Sequence, residues 1–320
     1  MRRVLGVLAG FVLLVVGAVT GAAYLYDRPG PLPAAGAVIV PRGGLEGIAE
    51  SLVAADAVPP GFLFPMAVAL TRPAGTLHAG EFEFPAHASL RQVLAVLRTG
   101  RPVQHRLTVA EGLTAVQISA LLEQTSTLDG AVPGLEEGTF LPETYVFERG
   151  TARATIIARA HAAMDRAVDR AWQSRRRDLP IAKPAELLTL ASIVERETAR
   201  PDERPHVAAV FHNRLRRGMK LQSDPTTIYA VSHSGGRDHA LTRAELDRDD
   251  PYNTYRTPAL PPGPICMPGT ASLMATAQPE DSADLYFVAD GTGGHAFAAT
   301  QEAHLRNVAK WREIERARGR

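Results

Sequence analysis

Residues 187–229 read LLTLASIVERETARPDERPHVAAVFHNRLRRGMKLQSDPTTIY. Just upstream, Pro184 and Ala185 suit a helical first turn, and Leu187, Leu190, Ala191 and Val194 recur at the spacing of a buried helix ridge. Glu197 follows Ile193 by four residues, Val194 by three and Leu190 by seven, so it prolongs that ridge. Glu195 points to a different side and is expected to be the solvated or salt-bridged member of the pair, near Arg196 or Arg204. Burial disfavours the ionised form of a carboxyl and raises its pKa, so a Glu on an apolar ridge can keep a proton to donate near neutral pH. The plainer reading of the same pattern is a helix-end Glu making a structural hydrogen bond. Its surroundings decide between the two, and Asn213, Gln222, Asp224 and Tyr229 follow it closely.

Length and composition frame the rest of the chain. With 320 residues, 45% of them hydrophobic, two or three compact units are expected. The 35 Lys and Arg nearly cancel the 34 Asp and Glu, so nothing in the charge calls for a nucleic-acid partner. A single cysteine, Cys266, excludes an intrachain disulfide framework, and no Cys/His spacing resembles a zinc site. No cofactor or metal is expected.

At the N-terminus, Met1-Arg2-Arg3 precedes an uncharged segment, Val4 to Leu25, close to the ~20 residues that cross a bilayer's hydrocarbon core. Tyr24 and Tyr26 mark an interface, and Asp27-Arg28-Pro29 end the span. A cleaved signal peptide has an apolar core of only ~7–15 residues, which makes a retained anchor the expectation. With Arg2 and Arg3 held inside, the positive-inside rule exports everything after residue 28. Pro29 to Gly36, rich in Pro, Gly and Ala, reads as a juxtamembrane linker.

A strand, a Pro or Gly turn and an amphipathic helix then recur three times. Val38-Ile39-Val40-Pro41 leads to a helical run ending at Val53, Glu81 to Pro85 leads to Leu90–Leu97, and Arg106 to Val109 leads through Glu111-Gly112 to Val116–Leu122. Ser89 and Thr114 stand at N-cap positions. Val38 to about Arg101 resembles a LysM-like module, a small strand-and-helix unit that binds N-acetylglucosamine in other proteins. No aromatic cluster for sugar stacking is visible in it, so a spacer above the membrane is an equal reading. Further on, Glu136 to Tyr145 combines a turn, aromatics and carboxylates, as suits a loop lining a groove. Residues 152–175 then form a long helix with Ile156, Ile157, Ala160, Met164 and Val168 on its apolar face.

The motif set as a whole resembles a known family. Ala191 to Thr198, Val210-Phe211-His212-Asn213-Arg214-Leu215, Gly218-Met219, Leu221 to Thr226 and Tyr229 look like the core of the MltG/YceG-like endolytic murein transglycosylases. Tyr252-Asn253-Thr254-Tyr255, Gly263-Pro264-Ile265, Pro268-Gly269, Tyr286 to Gly291 and Gly293 to Phe297 continue the match in order, over about residues 105 to 310. His212 stands where Ile is common, and Cys266-Met267 replaces the usual Ala-Thr.

The resemblance implies cleavage of the β-1,4 bond between N-acetylmuramic acid and N-acetylglucosamine, leaving a 1,6-anhydromuramoyl end without water. It puts the catalytic glutamate at Glu197. Glu197-Thr198 is similar to the Glu-Ser pair, and Tyr252-Asn253 to the Tyr-Asn pair, of other lytic transglycosylases. Most glycosidases need two carboxylates. Here the sugar's 2-acetamido oxygen can stabilise the anomeric cation, so one can suffice. Gln222, Asn253 and Tyr255 are candidates to hold acetamido and hydroxyl groups, Tyr229 and Tyr252 to face pyranose rings, and Asp224 and Asn213 to complete the site. Each has a structural reading as well: Asn213 as a brace, Asp224 as an N-cap before Pro225, the tyrosines as core.

The resulting expectation is an α+β protein of the bacterial inner (cytoplasmic) membrane: residues 1–3 a cytoplasmic tip, 4–25 a single transmembrane helix, 26–37 a linker, 38–104 a LysM-like α/β module, 105–320 a mixed α+β catalytic domain outside the cytoplasm. Its partners would be peptidoglycan glycan strands and the membrane; the sequence leaves open whether peptidoglycan synthases join them. Two other readings stay open: a hydrolytic muramidase with Asp224 or Glu143 as second carboxylate, and a membrane-anchored glycan-binding scaffold.

Overall fold

The computed structural model describes residues 2–233 and 240–318. Met1 of the expected tip and the last two residues of the expected catalytic domain lie outside them. The chain is α+β, and among the described residues no sheet exceeds two strands. It divides into two units, residues 1–105 with 146–151, and residues 106–145 with 152–320.

The first unit begins with α1 (Arg2–Asp27), which extends two residues beyond the uncharged run at each end. Its stretch Leu5–Asp27 is long and apolar enough to cross a membrane. The connection that follows is pinned down, not loose: Gly30 N–H donates to the His87 carbonyl at 3.0 Å and the Leu32 carbonyl accepts from His87 N–H at 2.7 Å. Gly30 is required there, since a Cβ would fall 2.1 Å from the Ala88 carbonyl oxygen. Next come β1 (Gly36–Val40), α2 (Leu45–Ala54), α3 (Leu63–Leu70), a 3-10 turn at Arg72–Ala74, β2 (Gly80–Phe84) and α4 (Leu90–Thr99). Strands β1 and β2 are antiparallel, with Val38 opposite Phe82 and Gly36 opposite Phe84. Val38, Val40, Phe82 and Phe84 turn inward onto Ile48, Leu52, Phe64, Val93, Leu94 and Leu97. Glu81 on β2 takes Arg149 Nε at 2.9 Å and His105 Nε2 at 2.5 Å, which ties residues 146–151 to this unit.

β3 (Gln104–Thr108) leads into the second unit. Along the chain, α5 (Ala115–Gln124), β4 (Leu128–Asp129), then β5 (Thr144–Glu148) and β6 (Thr151–Ala152), which include residues 146–148 and 151 of the first unit, and α6 (Arg153–Ser174) precede α7 (Pro184–Glu197). After it come α8 (Arg204–Arg216), α9 (Asp224–Ser232), α10 (Arg243–Leu246), α11 (Thr270–Ala277), the antiparallel hairpin β7 (Tyr286–Ala289) and β8 (His295–Ala298), and α12 (Gln301–Arg318). Ser89 and Thr114 each form a full capping box, with Gln92 and Gln117 answering from the third helical position.

Helix α7 is central. Leu187 and Ala191 enter one core with Met164, Ala167 and Ala171 of α6 and with Leu273 and Ala277 of α11. Leu190, Ile193 and Val194 enter another with Val207, Ala208 and Phe211 of α8, Leu221, Tyr229 and Ile265. Leu187 and residues 189–194 are buried and Leu188 is partly so, which holds the helix from most directions and lets its last turn carry the two glutamates into fixed surroundings.

Candidate active site

Glu195 and Glu197 occupy different environments. Glu195 accepts from Arg204 Nη2 at 2.9 Å and from Gly269 N–H at 2.9 Å, and its side chain is 4% exposed. Arg204 also reaches Glu111 at 3.1 Å. Burial pushes the Glu195 carboxyl up, and the Gly269 N–H and then Arg204 pull it back. Glu195 is therefore salt-bridged with Arg204, as expected, but it is not solvated: α7 ends against the turn that opens α11, and Arg204 closes over it. A Cβ at Gly269 would sit 1.8 Å from Glu111 Oε1, so a side chain there would push Glu111 aside.

Glu197, half-buried, has no cation bonded to it among the described residues. The hydroxyl of Ser223 donates to its Oε1. Burial raises its carboxyl to about 7; the Ser223 hydrogen bond opposes the rise, the charge of Asp224 adds to it, and the charge of Arg214 opposes it. Ser223 is the N-cap residue of α9 by backbone geometry, yet its side chain makes no cap hydrogen bond. A residue type that ordinarily satisfies its own helix instead serves the carboxyl of α7.

Residues 222–224 are fastened to residues 253–255. Gln222 N–H donates to the Thr254 carbonyl at 3.2 Å, Ser223 N–H to Thr254 Oγ1 at 3.0 Å, and Thr254 Oγ1 meets Thr226 Oγ1 at 2.8 Å. Gln222 adopts φ 50°, a left-handed conformation that costs a non-glycine residue about 1–3 kcal/mol, and its side chain is exposed next to the Ser223–Glu197 contact. Tyr255 donates its hydroxyl to Asp224 Oδ1 at 2.6 Å. Burial, with that hydrogen bond, raises the Tyr255 phenol, so it stays a donor. Asp224 and Tyr255 are thus held together near Glu197, and Gln222 adjoins Ser223 in the chain.

Tyr229 and Tyr252 pack on each other with centroids 4.9 Å apart. Tyr229 is almost wholly enclosed in the core beside α7, whereas Tyr252 keeps a partly exposed face. Both phenols are raised, by burial first and then by the charge of Glu137. The two asparagines are used by the fold. Asn253, fully buried, donates to the carbonyls of Leu246 and Arg248 at 3.0 and 2.7 Å and accepts from Thr227 Oγ1 and Tyr255 N–H. Asn213 donates to the carbonyls of Ser282 and Asp284 at 2.8 and 3.0 Å and accepts from Arg216. Neither amide has a donor left for a ligand.

The two departures from the motif pattern have local partners. His212 hydrogen-bonds the Thr276 carbonyl at 2.9 Å, and burial lowers it to about 4, so it is neutral. Cys266 Sγ donates to the Ser192 carbonyl, and Met267 Sδ accepts from Phe140 N–H. His295, between Gly294 and Phe297, is held by Glu203 at 2.7 Å. Of the two other carboxylates weighed, Asp224 neighbours Glu197, while Glu143 is exposed.

Ser223, Arg214 and Glu137 carry roles that the sequence did not single out. Arg214 binds the Leu285 and Leu221 carbonyls at 2.6 and 2.5 Å, which anchors β7 and the segment before Gln222 beside Glu197. Glu137 accepts from Ala115 N–H at 3.1 Å at the start of α5, and burial raises it to about 7. The sequence puts the cap of α9 at Asp224, but by backbone geometry Ser223 is the N-cap and Asp224 the first helical residue, so no sequence signal pointed to the Ser223 hydroxyl. Among the described residues no group of three or more His, Cys, Asp or Glu could hold a metal ion.

Residues 38–310 match the YceG-like family. Endolytic murein transglycosylases of Streptococcus pneumoniae (serotype 2, strain D39) and Bacillus subtilis (strain 168) are 36% and 33% identical over 194 and 175 residues, 59% and 55% of this chain. Those alignments cover 35% and 48% of the relatives, so the chain spans about a third to a half of their length. A crystal structure of a YceG-like protein from Listeria monocytogenes is similar with a TM-score of 0.53 at 27% identity, over 86% of this chain and 99% of that one. With the family match running through both units and most of the length, the chain belongs to the YceG-like family.

Proposed function

We propose that this chain is a membrane-anchored endolytic murein transglycosylase. Glu197 gives its proton to the glycosidic oxygen between N-acetylmuramic acid and N-acetylglucosamine as the C1–O bond breaks. The 2-acetamido oxygen supports the positive charge at C1. The Glu197 carboxylate then takes the proton of the C6 hydroxyl as that oxygen bonds to C1, which closes the 1,6-anhydro ring and regenerates the acid. The observation that carries this reading is the Glu197 carboxyl, raised to about 7 and hydrogen-bonded to the Ser223 hydroxyl, with no cation bonded to it among the described residues. A carboxyl near 7 can serve as acid and base in turn.

Gln222, Asp224 and Tyr255 are assigned to the sugar's polar groups, and Tyr252 backed by Tyr229 to an apolar ring face. Asn253 and Asn213 act behind the site, the first by holding Tyr255 and Thr227, the second by holding residues 282–284. The strand–helix–helix–strand order of β1, α2, α3 and β2 supports the LysM-like reading of residues 38–104. Leu5–Asp27 supports a single-pass anchor, with Arg2 and Arg3 on the cytoplasmic side of the inner membrane and both units outside.

Digestion of purified glycan strands by the full chain, followed by mass spectrometry, tests the reaction. Anhydro ends are expected from wild type and none from Glu197→Gln; reducing ends would make the protein a hydrolase, and an equally active variant would remove Glu197 from the mechanism.

A further inference from the structure

Helix α3 reads Leu-Phe-Pro-Met-Ala-Val-Ala-Leu, apolar on every side, yet only Phe64 and Ala67 of it are buried. Phe62 just ahead of it is 71% exposed, Leu70 70% and Met66 38%. A short helix of this kind on a small soluble unit would leave apolar surface in water. The surface is continuous with the helix read above as the membrane anchor. Leu63, Met66 and Leu70 line one groove with Ala22, Ala23 and Leu25, the last residues of the uncharged run of α1. Ala22 precedes Leu25 by roughly 4.5 Å along the axis. The outward edge of α3 therefore lies level with the end of the apolar segment, where hydrocarbon gives way to headgroups.

Charge agrees with the position. From Val58 to Gly80 there is no Asp or Glu, and the exposed Arg72 directly follows α3. Anionic headgroups favour a basic flank and exclude acidic ones. Arg91 on α4 bonds both oxygens of Asp27 at 2.5 and 2.8 Å and lies over Tyr26, so the exit of α1 is fixed against the same unit.

We propose that Phe62 and α3 form a membrane-docking surface, lying in the headgroup–acyl boundary of the phospholipid leaflet where α1 emerges. The first unit is then seated on the bilayer by a helix and an anchor together. This rests on the reading of α1 as membrane-spanning, and the test separates the two.

Full-length chain carrying one added cysteine at position 11, 62, 70 or 83, labelled with a small fluorophore, is reconstituted in phosphatidylethanolamine–phosphatidylglycerol vesicles containing doxyl lipid. The native Cys266 is buried. Roughly twofold or greater quenching is expected at 11, 62 and 70, with little at the exposed Glu83 position. Quenching at 11 but not at 62 and 70, whether those sites face water or a second copy, overturns the docking alone. No quenching at 11 overturns the anchor, and the docking with it.

Discussion

Glu195 and Glu197 stand two residues apart on the same last turn of α7 and meet opposite fates. Glu195 is buried deeply and is answered by Arg204 and the Gly269 N–H. Glu197 is partly enclosed as well, but among the described residues its carboxyl is hydrogen-bonded only by a neutral donor, Ser223, with the carboxylate of Asp224 nearby. Depth of burial is thus a poor guide to chemistry. What separates a structural carboxylate from a poised acid is whether charge compensation is supplied with the burial.

Replacing each glutamate should separate the roles. Glu197→Gln should lower anhydro-end formation by about 10³-fold in a glycan digestion assay, within the range for loss of a general acid, while the protein stays folded. Glu195→Ala should act on stability instead, costing about 3 kcal/mol by denaturant titration, because Arg204 is left in a closed site with only the partly exposed Glu111. Equal loss of activity from both at unchanged stability would erase the distinction. Gly269→Ala should cost about 1 kcal/mol, since Glu111 is half in solvent and can swing away from the new methyl. A smaller and directional pair concerns pH. Activity should fall as pH rises through about 7, because the donating form of Glu197 is lost. Ser223→Ala removes a donor that favours the ionised form, so this alkaline limb should move up. Asp224→Asn removes a nearby negative charge, so the limb should move down. Rate–pH profiles showing both shifts in one direction would contradict the assignment of these neighbours.

The regular parts were legible. The ridge from Leu187 to Glu197 follows from spacing alone, as do the N-caps at Ser89 and Thr114, because local chemistry and tertiary packing agree there. Three features were not. Helix α3 has no polar face to set a period, and Pro59-Pro60-Gly61 and Pro65 break up its sequence. Asp224 reads as the cap of α9, and only the fold puts Ser223 there with its hydroxyl turned to Glu197. The buried bonding of Asn253 was equally invisible, since its carbonyl partners lie on an irregular segment with no sequence signal of its own.

The most direct test is titration of the Glu197 carboxyl itself. Carbon-13 spectra of glutamate-labelled full chain in detergent, wild type minus Glu197→Gln, isolate that resonance. The account expects a midpoint at about 7. A midpoint at or below the ordinary glutamate value of about 4.3 would mean the carboxyl is ionised at neutral pH and has no proton to give.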